Sequence, residues 1–104
     1  MNKKDFTIIY VDDEEQNLIS FKSSFRRDYN VLIAKSGKKA IDILKDQNVH
    51  LIITDQRMPE MTGIQLLEKL SPEFPDSIRM ILTGFSDIEV IIEAINSGRV
   101  FRYI

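Results

Sequence analysis

Cysteine is missing from all 104 residues. Its absence excludes disulfides and thiolate metal sites and fits a reducing compartment. A basic excess is missing too. The formal net charge is -2, so no overall positive field would draw the chain to nucleic acid or anionic lipid. No basic stripe or nucleic-acid recognition motif is seen. No stretch approaches the roughly 20 apolar residues needed to span a bilayer. The apolar run behind Met1-Asn2-Lys3-Lys4-Asp5 is far too short for a signal peptide. Histidine occurs once, and His50 opens an apolar run away from the acidic positions, so it reads as a surface or boundary residue. Repeats, linkers and low-complexity segments are also absent. A cytoplasmic protein with no membrane or nucleic-acid partner is expected.

Hydrophobic residues make up 43% and charged residues 29%, a balance that suits one soluble domain with a single core. Apolar runs alternate with segments of helical period, which argues for βα units and a parallel sheet. A strand is expected near Phe6–Val11, then a helix at about Glu15–Arg27 with Leu18, Phe21 and Phe25 on one face. Tyr29–Ala34 reads as a second strand and Ser36-Gly37 as a turn. A helix at about Lys38–Gln47 then buries Ala40, Ile41 and Leu44. His50–Thr54 forms the third strand, and Pro59 in the loop Asp55–Met61 delays the next helix. Thr62 caps that helix, with Ile64, Leu67 and Leu70 inward. Ile78–Leu82 is the fourth strand. Ser86 caps a fourth helix with Ile88, Ile91, Ile92 and Ile95 inward, and Asn96-Ser97-Gly98 ends it. Val100–Ile104 opens a fifth strand.

Polar groups gather where the apolar runs stop. Ile8-Ile9-Tyr10-Val11 runs into Asp12 and Asp13, Leu51-Ile52-Ile53-Thr54 into Asp55, and Met80-Ile81-Leu82 into Thr83-Gly84. Parallel strands would bring all of these to carboxyl-terminal ends, where open α/β sheets bind ligands. Carboxylates converging there repel one another unless a cation joins them. Hard cations such as Mg²⁺ take oxygen ligands and keep several waters. Asp13 and Asp55 are the best direct ligands, and Asp12 is either a ligand through water or an orienting neighbour. Asp55 stands alone at its strand end, and such a carboxylate beside a cation can attack phosphorus and form an aspartyl phosphate. The Thr83 hydroxyl and the Gly84 backbone N–H are placed to meet a phosphoryl oxygen. Lys35-Ser36-Gly37-Lys38-Lys39 lacks the first glycine of a phosphate loop and reads as a solvated turn. Met58 and Met61 pack under the loop.

These same blocks, Ile-Ile-Tyr-Val-Asp12-Asp13-Glu14, Ile-Ile-Thr-Asp55-Gln-Arg-Met58-Pro59-Glu-Met-Thr-Gly63 and Ile-Leu-Thr83-Gly84, resemble the signatures of response-regulator receiver domains, the CheY-like family. Gly98-Arg-Val-Phe-Arg-Tyr103-Ile resembles the approach to their fifth strand. The likeness runs through almost the whole chain. It implies a flavodoxin-like, doubly wound α/β fold with strand order 2-1-3-4-5. It also implies phosphotransfer to Asp55 from a sensor histidine kinase or phosphotransfer protein. Mg²⁺ would be held by Asp12, Asp13, Asp55 and the backbone carbonyl of Arg57, with Thr83 and Tyr103 as the switch pair.

Such receivers carry a lysine just past the fifth-strand aromatic, and the sequence stops at Ile104 before reaching it. Residues 1–104 are therefore expected to be a receiver with a short last strand and no final helix. Uncovered apolar sheet surface would favour a homodimer. The leading function is a signalling module, not an enzyme, that is phosphorylated on Asp55 and switches conformation. A non-switching interaction module is the alternative. A Mg²⁺-dependent phosphohydrolase is disfavoured, because Gln56-Arg57-Met58-Pro59 follows Asp55 without a second acid and no cap is available.

Overall fold

β1 (Thr7–Val11) is apolar at four of its five positions and buried at all of them, as befits a strand covered on both faces. Around it the chain builds α1 (Glu15–Phe25), β2 (Asn30–Ala34), α2 (Gly37–Leu44), β3 (Leu51–Asp55), α3 (Gly63–Leu70), β4 (Ile78–Leu82) and β5 (Arg102–Tyr103). The computed structural model describes residues 5–74 and 76–82, and the backbone of 102–103. All strand pairs are parallel, and the sheet order is β2-β1-β3-β4-β5. This is the doubly wound order expected from the resemblance. Among the described residues, no helix is long and apolar enough to cross a membrane.

The register aligns the carboxyl ends of the inner strands. Val11 pairs with both Ala34 and Thr54, and Asp55 pairs with Leu82. Alternate residues then serve opposite faces. Ile9, Val11, Ile52 and Ile81 join Ala40 and Leu44 of α2 and Ile64, Leu66, Leu67 and Leu70 of α3 in one core. Ile8, Tyr10 and Ile53 form the other core with Leu18 of α1.

Several expected boundaries shift. α1 ends at Phe25, not Arg27, because the chain tightens there: Asp28 and Tyr29 both donate their N–H to the Phe25 carbonyl. Phe25 is 40% exposed, contrary to its expected inward place. Its ring instead meets Phe21 and Tyr29, with centroids 4.9 and 6.5 Å away. α2 begins at Gly37 and stops at Leu44, short of Gln47. Ser36 is the cap, accepting the Lys39 N–H at 3.1 Å. His50 is half-buried and has a structural partner that sequence reading did not foresee. Its Nδ1 accepts the Thr7 N–H at 3.0 Å, and its ring stacks on Phe6. The fifth strand holds as backbone, beside Met80 and Ile81. Thr83, Gly84, the Ser86 cap, the helix carrying Ile88 to Ile95 with its Asn96-Ser97-Gly98 end, and the Tyr103 ring lie outside the described residues.

The loop between β3 and α3 is tied at both ends. Helix starts leave N–H groups without intrahelical acceptors, and here three of them are met. Gly63 donates to the Gln56 carbonyl at 3.1 Å, Ile64 to the Gln56 side-chain Oε1 at 2.9 Å, and Gln65 to Thr62 Oγ1 at 3.2 Å. Gln65 Oε1 accepts the Thr62 N–H in return, completing a capping box. Gln56 is thus both the neighbour of Asp55 and the anchor of α3. A Cβ at Gly63 would run into the Asp55 carbonyl oxygen, so the helix approaches the strand end at a distance that glycine allows. In the middle of the loop Glu60 takes a left-handed conformation, φ 68.

Three substitutions test this loop by urea unfolding at constant m value. Gly63→Ala should push α3 off the strand end and destabilise by about 1–3 kcal/mol. Gln56→Ala strands a buried N–H and should destabilise by about 1–3 kcal/mol. Glu60→Gly removes the left-handed penalty and, after the entropy glycine adds to the unfolded chain, should stabilise by about 0.5–1 kcal/mol.

Candidate functional site

Asp12, Asp13 and Asp55 meet at the carboxyl edge of the sheet, with one carboxylate oxygen from each within 4.8 Å of the others. Asp12 and Asp13 follow β1 directly, and Asp55 closes β3, its neighbour. Burial differs sharply among them: Asp12 is 2% exposed, Asp55 half-buried and Asp13 exposed. Ionised pairs at such separations repel by about 1 to 4 kcal/mol as the surroundings go from watery to partly buried. The donor set is all oxygen, which fits a hard divalent cation able to relieve that repulsion.

The side chains around the acids are held from the protein side. Asp12 accepts three hydrogen bonds: from the Tyr10 hydroxyl at 2.6 Å, the Glu14 N–H at 3.0 Å and the Asn17 amide at 3.0 Å. Tyr10 and Asp12 stand two apart at the end of β1, so their side chains share a face. Burial first, and the Asp12 carboxylate second, push the Tyr10 phenol well above its ordinary value, so it stays a proton donor. Asp55 Oδ1 accepts the Gln56 N–H at 2.9 Å. The Thr54 hydroxyl donates to the Asp55 carbonyl at 2.9 Å, fixing the backbone beneath the carboxylate.

Three of the four expected metal-binding residues therefore come together through their side chains. Arg57, expected to contribute its carbonyl, lies exposed in the loop two residues past Asp55. Thr83, Gly84 and the Tyr103 ring are outside the described residues. Met58 is buried in the core under the loop, as expected, and Met61 packs over Gly37. Sequence reading missed Tyr10, Asn17 and Gln56. Tyr10 sits inside an apolar run, which hides its hydroxyl from a pattern reading. Its i, i+2 spacing to Asp12 on a strand was the available signal. The Asn17 and Gln56 contacts depend on how α1 and α3 dock, which local spacing does not reveal.

Comparison with known proteins agrees with this fold. The sequence profile described as response regulator receiver domain matches residues 8–104. The chain is 32% identical over 104 residues to the hydrogenase transcriptional regulatory protein HoxA of Cupriavidus necator, covering all of this chain and 22% of HoxA. The chain thus spans about a fifth of that relative's length. Among solved structures it resembles the adenylate cyclase from Rhodopirellula baltica, with TM-score 0.91 and 32% identity over 100% of this chain and 76% of that one. A response regulator receiver domain protein from Clostridium thermocellum superposes with TM-score 0.86 at 29% identity, covering 95% of this chain and 80% of that one. With the profile spanning nearly its full length, the chain belongs to the response regulator receiver domain family, the receivers of two-component signalling systems.

Proposed function

We propose that residues 1–104 act as a phosphoacceptor switch in which Asp55 takes a phosphoryl group from the phosphohistidine of a sensor histidine kinase or phosphotransfer protein. Receiver domains as a class bind Mg²⁺ at an acidic site and interact with such donors. The observation that carries the reading to this chain is the convergence of Asp12, Asp13 and Asp55 beside the tied loop. In the transfer, an Asp55 carboxylate oxygen forms a bond to phosphorus. The phosphorus–nitrogen bond breaks, and its electron pair stays on the imidazole. Asp12, Asp13, Asp55 and the Arg57 carbonyl would hold Mg²⁺, which when bound neutralises charge between the anionic acceptor and donor. The Gln56 N–H orients one Asp55 oxygen from the protein side. Thr83 and Gly84 would meet the phosphoryl oxygens, with Tyr103 as the second half of the switch. Phosphorylation would then act by shifting a population between two conformations.

A homodimer is a further part of this proposal. Cytoplasmic location follows from a donor kinase that works there. The relatives carry different activities in their names, so the response downstream of this receiver is set by whatever it is joined to or contacts.

Incubation with Mg²⁺ and a small-molecule phosphodonor should give acid-stable, base-labile phosphate on the wild type. Asp55→Asn should fall to background, and equal labelling of the two would remove Asp55 as acceptor. Sedimentation should show self-association that rises with concentration. A clean monomer at high concentration would end the dimer proposal without touching the chemistry.

A further inference from the structure

The hydrogen bonds on Asp12 restrict how it can meet a cation. A carboxylate offers about four lone-pair sites, two on each oxygen. The Tyr10 hydroxyl and the Asn17 amide both donate to Oδ2, at 2.6 and 3.0 Å, so that oxygen is filled. The Glu14 N–H donates to Oδ1 at 3.0 Å and leaves it one site. Asp12 can therefore offer a cation one oxygen and not two. Tyr10 is poorly placed to give way. It is 5% exposed, and its ring lies against Phe21 with centroids 4.5 Å apart. Asn17 sits in the first turn of α1 and can reach Asp12 because the chain turns straight from strand to helix.

Cations differ in what they ask of a carboxylate. Ca²⁺ takes six to eight oxygens in flexible geometry and often grips a carboxylate by both oxygens, whereas Mg²⁺ demands octahedral geometry with single-oxygen contacts and retained water. We infer that Tyr10 and Asn17 are positioning residues for cation choice: by filling Oδ2 of Asp12 they hold this carboxylate to a single-oxygen contact and bias the pocket toward Mg²⁺ over Ca²⁺. The inference rests on the metal site proposed above and goes beyond it, since neither residue belongs to the ligand set. It also explains a polar tip on a strand residue whose ring is otherwise core. A phenylalanine would pack the same way and leave Oδ2 open to a second metal bond.

Calorimetric titration of the full chain with MgCl₂ and with CaCl₂ tests this in wild type, Tyr10→Phe, Asn17→Ala and the double variant. The Kd ratio of Ca²⁺ to Mg²⁺ should fall by about tenfold in the double variant, the lower end of what outer contacts to metal ligands usually contribute. Each single variant should give part of that fall. Affinities that drop together at a constant ratio would mark a merely structural role and overturn the inference, as would a ratio that rises. Asp13→Asn should abolish the heat of Mg²⁺ binding. If it does not, the cation sits elsewhere and the inference fails. A wild type that binds neither ion overturns the metal reading itself, an outcome distinct from an unchanged ratio. If Tyr10→Phe does not fold, Asn17→Ala at an exposed helix position carries the same test.

Discussion

Crowding of negative charge at one edge of the sheet is the constraint around which the described part of this molecule is arranged. Asp12, Asp13 and Asp55 would separate if the backbone allowed it, because like charges this close repel. The parallel register does not allow it. Val11 beside Thr54 puts the ends of β1 and β3 in line, and both strands are anchored by buried apolar residues along their length. Core burial, worth about 1.5–3 kcal/mol for each large apolar side chain, thus holds the acids together against their repulsion. A hard cation at such a site would relieve the repulsion that the fold imposes.

The loop after Asp55 shows the same economy. Gln56 serves two neighbours at once, orienting the Asp55 carboxylate with its N–H and capping α3 with its carbonyl and side chain. Gly63 lets the helix come close enough for those bonds to form. The carboxylate and the start of α3 thus share one hydrogen-bonding residue, and a left-handed Glu60 lies within the same short span. On the opposite side of the sheet, Tyr10 joins Asp12 to the ring of Phe21 and so ties the pocket to α1. The acidic site is gripped from both layers of the fold.

Much of this was legible in the amino-acid order because it depends on short-range patterns. Alternating apolar runs and helical periods identify the elements, and runs ending in Asp12-Asp13 and Asp55 mark the site once the strands are taken as parallel. Thr62 with Gln65 three residues on is a local cap signal, and the structure forms it. Errors fell where local pattern competes with packing. Phe25 has the spacing of an inward residue, yet the chain tightens at the end of α1 and leaves it on the rim. His50 is the boundary residue expected, but its bond to Thr7 was hidden because Thr7 lies on an adjacent strand.

By itself, then, the sequence determined the order and kind of the elements, the family, and which carboxylates stand at strand ends, since each follows from the nature and spacing of nearby residues. Tertiary structure alone decided that Asn17 joins Tyr10 on one oxygen of Asp12, that Gln56 holds α3, and that Gly63 sits against the Asp55 carbonyl. Those contacts arise when separate elements dock, and docking is set by side-chain packing and hydrogen-bond geometry in space, which residue spacing along the chain does not encode.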